Sequence, residues 1–248
     1  MRFLNIALIV VAGLLGALIG LVAANGPLSP NDVSDEQFSD RVREALIADP
    51  EILRDAFYAL DVQQRQAELS ALQDAITRNY SLIETAPAAF ASGNPDGDVT
   101  IVEFFDYECG YCRRAQEPFQ NLIQDDGNIR VIYFELPILG ETSYRAALAA
   151  LAADRQGLYH EFHDLAVASS ERLTDETIAE IATEIGANLD QLYADMDDPE
   201  LEGRVRANMQ LGQAVTVNST PTYIVGGQVA LGWDEDRIRE LVAEARRR

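Results

Sequence analysis

Two cysteines, Cys109 and Cys112, stand in the tetrad Cys109-Gly110-Tyr111-Cys112, and the chain has no others. Thiols at this spacing either share a redox-active disulfide or supply half the ligands of a zinc site. Zinc needs two further ligands, and the only histidines, His160 and His163, lie far off in sequence. The flanking residues favour redox chemistry. Val99-Thr100-Ile101-Val102-Glu103-Phe104-Phe105 is apolar and β-branched and reads as a strand leading to the pair. After Cys112, Ala115, Phe119, Leu122 and Ile123 recur at helical spacing. The first sulfur then falls at a helix amino terminus, where backbone N–H groups and the helix dipole favour the reactive thiolate. On this reading Cys109 is the exposed nucleophile. Cys112, one turn into the helix, is the buried thiol that resolves the mixed disulfide.

Glu103 lies in the middle of the incoming strand, between Val102 and Phe104. In a sheet covered on both faces a carboxylate there is buried, its pKa is raised, and it can relay a proton to or from Cys112. On an edge strand it would be an ordinary surface carboxylate. Ser219-Thr220-Pro221-Thr222 precedes a second strand pattern and reads as a turn. Tyr107, Tyr111 and Trp233 are candidates to line an apolar substrate groove, although packing accounts for Trp233 equally well. His160 and His163 sit three apart on a helical pattern without a third ligand, and read as surface or packing residues rather than a metal site.

The elements that position these residues follow from the periodicity. Ile129 to Phe134 is a second strand, and residues 143–212 read as helical, with breaks near Gly157, Glu171, Gly186 and Pro199. Thr222-Tyr223-Ile224-Val225 and Gln228-Val229-Ala230-Leu231 flank Gly226-Gly227 as a hairpin, and a last helix runs from Asp234 to about Ala245. The order strand, helix, strand, helical block, hairpin, helix predicts an α/β fold of thioredoxin type with an inserted helical domain, over residues 98–248. Residues 85–97, rich in Pro, Gly, Ser and Asn, read as a linker. Before them, 31–84 form a helical extension in which Val62, Leu69, Ile76 and Ile83 recur every seven residues. That seam fits either self-association through residues 34–83 or packing against the main domain. Residues 3–24 are apolar apart from Asn5, and two readings stay open: a membrane anchor, or a signal peptide cleaved after Val22-Ala23-Ala24. Both put the remainder outside the cytoplasm.

Composition narrows the function further. The net charge of −22 repels phosphate backbones and excludes nucleic acid as a partner. All 19 basic residues are arginine, which excludes Schiff-base chemistry and a P-loop lysine. The expected chemistry calls for no cofactor and no metal. The terminal Arg246-Arg247-Arg248 reads as a solvated end.

Phe104-Phe105-Asp106-Tyr107-Glu108-Cys109-Gly110-Tyr111-Cys112-Arg113-Arg114 resembles the active-site segment of the DsbA family of bacterial envelope oxidoreductases. Leu136-Pro137-Ile138-Leu139-Gly140 resembles that family's stretch after the second strand, Gly157 to His163 its helical insertion, and Thr220-Pro221-Thr222 its cis-proline loop. The resemblance covers about residues 98–241. It implies that Cys109 attacks, Cys112 resolves, Glu103 assists, and Thr220-Pro221, with Tyr111 nearby, meet the substrate backbone as an added strand. It also implies periplasmic action on exported proteins carrying thiols or disulfides, with a membrane redox partner and residues 3–24 as an inner-membrane anchor or signal. Residues 34–83 are loosely similar to the extension of family members that oligomerise. The best-known DsbA oxidases carry Pro-His where this chain has Gly110-Tyr111. Without that histidine the thiolate is stabilised less and the disulfide is less oxidising. Oxidation is the leading direction. Isomerisation or reduction, and a non-catalytic peptide-binding chaperone, are the alternatives.

Overall fold

Short β-branched runs build one sheet, and the amphipathic stretches between them cover it. The computed structural model describes residues 34–85 and 90–248, divided into two units that meet in sequence at Arg65 and Gln66. The apolar run 3–24 lies outside the described residues. Among the described residues no helix is long and apolar enough to cross a membrane.

The first unit holds helix α1 (Asp35–Ala48) and the start of α2 (Glu51–Thr85). Ser34 and Gln37 close a capping box on α1, and Asp49 Oδ1 accepts the Glu51 N–H at 3.2 Å as α2 begins. Phe38, Ile47, Phe57, Tyr58 and Leu60 are all exposed here.

The second unit is built on a five-stranded sheet. Its order is β1 (Phe90–Gly93), β3 (Ile129–Glu135), β2 (Val99–Phe105), β4 (Thr222–Val225), β5 (Gln228–Leu231). Strands β2 and β3 run parallel, and every other neighbouring pair is antiparallel. Helix α3 (Gly110–Asp126) links β2 to β3. Between β3 and β4 come α4 (Glu141–Arg155), α5 (Tyr159–Ala168), α6 (Asp175–Glu184), α7 (Leu189–Met196) and α8 (Pro199–Ala214). Thr174, Asn188 and Asp198 cap the last three of these, each accepting a first-turn N–H. Helix α9 (Glu235–Ala245) ends the fold. This is the thioredoxin-like arrangement with a helical insertion.

Three details depart from the sequence reading. The stretch read as a linker, 85–97, contains β1, which pairs with β3 from Phe90↔Tyr133 to Gly93↔Arg130. Gly97 lets the chain press on the start of β3, since a Cβ there would meet Arg130 N and Asn128 O at 2.6 Å. The heptad seam divides: Val62 and Leu69 are exposed, whereas Leu72, Ile76 and Ile83 pack within the second unit against Val102, Phe104, Ile132, Phe134 and Ile224. From that part of α2, Gln73 reaches the hairpin, donating to Gly227 O at 2.7 Å and accepting from Val229 N at 3.0 Å. Finally, Arg246 is not a free end. It forks onto Asp98 at 2.9 Å and Asp126 at 2.6 Å, tying the end of α9 to the start of β2 and the end of α3.

Candidate active site

Strand β2 is the central strand, and alternation puts Ile101, Glu103 and Phe105 on the face covered by α3 and the insertion. The chain then turns through Asp106 to Glu108 and enters α3 with Cys109 as its N-cap. Cys109 makes no side-chain capping bond, so the first N–H groups of α3 remain available to its sulfur. Both cysteines are free thiols.

The two thiols lie in opposite electrostatic circumstances. The Cys109 pKa is lowered to about 5, first by the hydrogen bond from Cys112, then by Thr220 and the backbone N–H groups of Cys112 and Tyr111, against the penalty of burial. The Cys112 pKa is pushed far above the thiol range, by burial first, then by its bond to Cys109 and the nearby Glu103 carboxylate. One sulfur is thus an anion at neutral pH, and the other carries the proton that holds it. The sequence reading made Cys109 exposed, but it is only 6% accessible. The loop 111 residues later closes over it: Cys109 Sγ lies 3.2 Å from the Thr220 carbonyl, and the Thr220–Pro221 peptide bond is cis.

Glu103 is 3% exposed, flanked by Tyr133 on β3 and Tyr223 on β4. Its pKa is raised to about 8, by burial first and also by the Cys109 charge, with partial relief from Tyr223. Tyr111 stands 69% exposed beside Cys109, and the Arg114 guanidinium lies 4.5 Å from its ring centre. Tyr107, a groove candidate from sequence, is instead buried, with its hydroxyl 3.2 Å from His163 Nδ1. Trp233 packs on Phe119 and Tyr223, with ring centres 5.8 and 5.9 Å away. His163 is buried, and its pKa is lowered to about 3 chiefly by that burial. Among the described residues no cluster of three His, Cys, Asp or Glu is placed to hold a metal ion.

Three further acidic residues, outside the site read from the sequence, hold it together. The buried Asp106 accepts N–H bonds from Glu108 at 2.8 Å, Ile138 at 2.9 Å and Leu139 at 3.0 Å. It fixes the loop before Cys109 to the loop after β3, and leaves Ile138 and Leu139 exposed. Glu108 accepts the Leu173 N–H at 2.7 Å, joining the same loop to the insertion. Glu135 is 1% exposed, receives Tyr159 at 2.9 Å and Asn208 at 3.2 Å, and has its pKa raised to about 7 by burial. A lone acid inside an apolar strand or next to buried aromatics is the pattern that would have flagged Asp106 and Glu135.

Known proteins share this fold. The DSBA-like thioredoxin domain matches residues 100–245, and the N-terminal domain of the copper resistance protein ScsC matches residues 36–67. A thioredoxin-like oxidoreductase of Silicibacter pomeroyi is 41% identical with a TM-score of 0.64, over 68% of this chain and 97% of that one. The thiol-disulfide exchange protein alpha-DsbA2 of Wolbachia pipientis is 30% identical with a TM-score of 0.65, over 72% and 97%. A periplasmic thioredoxin-like protein of Salmonella enterica serovar Typhimurium is 27% identical with a TM-score of 0.60, over 66% and 94%. Among curated sequences, a Na(+)/H(+) antiporter NhaA 3 of Salinispora tropica is 31% identical over 55% of this chain. The chain spans 21% of that relative's length. A buried, proton-bearing Cys112 behind a stabilised Cys109, on this fold and with these relatives, places the chain in the DSBA-like thioredoxin domain family of thiol–disulfide oxidoreductases.

Proposed function

We propose that this chain oxidises exported proteins in the bacterial periplasm, with residues 3–24 serving as an inner-membrane anchor or as a signal. The observation that carries the direction is the Cys109 thiolate, held at about 5 at the start of α3. Stabilising the reduced form of a dithiol makes its disulfide a better oxidant.

The reaction begins from the Cys109–Cys112 disulfide. A substrate thiolate attacks Cys109 Sγ, forming a mixed disulfide, and Cys112 leaves with a proton taken from the Glu103 carboxyl. A second substrate thiolate then attacks the substrate sulfur of the mixed disulfide, and Cys109 departs as its stable thiolate. Two electrons have passed to the enzyme, and a membrane redox partner removes them. Thr220 and Pro221 bind the substrate backbone beside the sulfur, and Tyr111 offers an exposed ring to its side chains. No cofactor takes part.

A second reading, isomerisation or reduction, draws support from the exposed apolar residues of α1 and early α2, which favour a homo-oligomer through the first part of residues 34–83, ahead of Leu72. Equilibrating the full-length protein in glutathione buffers and counting free thiols by labelling distinguishes the two. A potential well above the glutathione poise is expected and means oxidation. A potential at or below that of thioredoxin means an enzyme supplied with electrons. Failure to form a Cys109–Cys112 bond in any buffer refutes exchange chemistry altogether and leaves a peptide-binding module.

A further inference from the structure

Asp106, the first residue after β2, addresses both sulfurs through its backbone. Its carbonyl accepts the Cys109 N–H at 3.0 Å, and its own N–H donates to Cys112 Sγ. The N–H groups of Tyr111 and Cys112 serve Cys109 from within α3, whereas the Asp106 donor reaches Cys112 from outside that helix. Its aim is set by the peptide plane. The Phe105 carbonyl of the same peptide accepts the Leu136 N–H at 2.7 Å, and in a trans peptide the C=O and N–H point in opposite directions. Holding the carbonyl on the β3 side turns the N–H away from β3. Strand β4 does not take it, since its register with β2 ends at Phe104↔Thr222.

The side chain locks that geometry. Asp106 Oδ1 accepts the Glu108 N–H, and Oδ2 accepts those of Ile138 and Leu139. The residue is thereby fastened on one side to its own turn and on the other to the loop after β3, and neither bond touches a sulfur. Cys112 is the sulfur that needs a fixed donor. It is buried, and the nearby Glu103 carboxylate opposes negative charge on it. A sulfur in that position is a poor leaving group unless something meets its charge.

We propose that Asp106 is a positioning residue for the opening of the Cys109–Cys112 disulfide: its carboxylate fixes its own backbone N–H against Cys112 Sγ, where that N–H meets the charge developing on the departing sulfur. The substrate thiolate gives an electron pair to Cys109 Sγ, a new S–S bond forms as the Cys109–Cys112 bond breaks, and the pair of the broken bond goes to Cys112 Sγ. The N–H bonds to that pair without giving up its hydrogen; the proton comes from Glu103. Closure of the bond by Cys112 uses the same contact in reverse. The inference rests on the reading of Cys112 as the sulfur that leaves and returns.

The test follows a single opening of the bond. Full-length protein oxidised with diamide is mixed with dithiothreitol, and its thiols are trapped with acid and counted by labelling, for wild type, Asp106→Asn and Asp106→Ser. Asparagine keeps the size of the side chain but has one acceptor oxygen. Serine keeps the turn to Glu108, but its single hydroxyl cannot bridge to Ile138 and Leu139. Each is expected to slow opening about tenfold. In Cys112→Ser, a mixed disulfide between Cys109 and glutathione opens without Cys112, and adding either Asp106 substitution there is expected to leave the rate within about twofold. If Asp106→Asn does not fold, Asp106→Ser decides in both settings. Equal slowing of the two disulfides overturns the inference, because a merely loosened loop hinders both. Wild-type opening rates in the Asp106 variants overturn it too and leave the exchange chemistry standing. Loss of the folded state in both variants assigns Asp106 to the fold alone and overturns it as well. A wild-type protein that forms no Cys109–Cys112 bond with diamide refutes instead the reading on which the inference rests.

Discussion

The two faces of the central sheet are made from the same strands but differ in chemistry. One face presents Val102, Phe104, Ile132, Phe134 and Ile224, and α2 covers it with Leu72, Ile76 and Ile83. The other presents Glu103, Tyr133 and Tyr223 beneath α3, and Tyr107, His163, Tyr159 and Glu135 extend the polar groups under the insertion. The apolar face works by excluding water, and its contribution scales with buried area. The polar face buries Glu103 and Glu135, which among the described residues form no close ion pair; this opposes stability, and in return sets the proton affinity of two sulfurs. Stability and reactivity are thus largely assigned to opposite sides of one sheet.

The largest expected effect tests the reactive side. Cys109→Ser should lower peptide oxidation by more than about 10³-fold while leaving the melting temperature within a few degrees of the reduced wild type. A large stability loss would show that the sulfur also supports the fold. On the apolar side, Ile76→Ala should cost about 2–5 kcal/mol in urea unfolding and leave the pH midpoint of Cys109 alkylation at about 5. Movement of that midpoint by a full unit would mean that the faces are coupled.

Glu135→Gln should reveal the opposing contribution of a buried acid. Its folded pKa of about 7 stands above the ordinary 4.5, so the carboxyl favours the folded state below pH 4.5 and that advantage is lost as pH rises through 7. The variant is expected to gain on the order of 2 kcal/mol over wild type at pH 8, and nothing at pH 4. Equal stability of the two proteins at both pH values would remove the carboxylate from this account. The smallest change is expected from Tyr111→His, whose imidazolium beside the thiolate should move the alkylation midpoint about one unit below 5. An unchanged midpoint would mean that the residues between the cysteines do not set the acidity of this thiol.

The sequence made the polar face partly legible. The cysteine spacing, the strand before it and the glycine pair of the hairpin are local signals, and local signals survive in a single chain. Glu103 was legible because an acid among Val102, Phe104 and Phe105 breaks an apolar run. The burial of Cys109 is not legible near the tetrad, because its cover, Thr220, arrives from a distant loop. The strand β1 has only Phe90-Ala91-Ser92-Gly93, too short to show alternation, and it exists because β3 offers an edge. The heptad seam is regular through α2, yet Val62 is 47% exposed and Ile76 fully buried. Periodicity reports which residues share a helix face, not what covers that face.

The contact of Gln73 with the hairpin has a consequence of another kind. Strand β5 is the last in the sheet, and an end strand displays backbone groups on which another chain can crystallise into a growing ribbon. The Gln73 amide satisfies Gly227 O and Val229 N together, the pair that an incoming strand would use. A single side chain thereby occupies the turn end of this margin of the sheet, where a neighbouring strand would otherwise begin to pair.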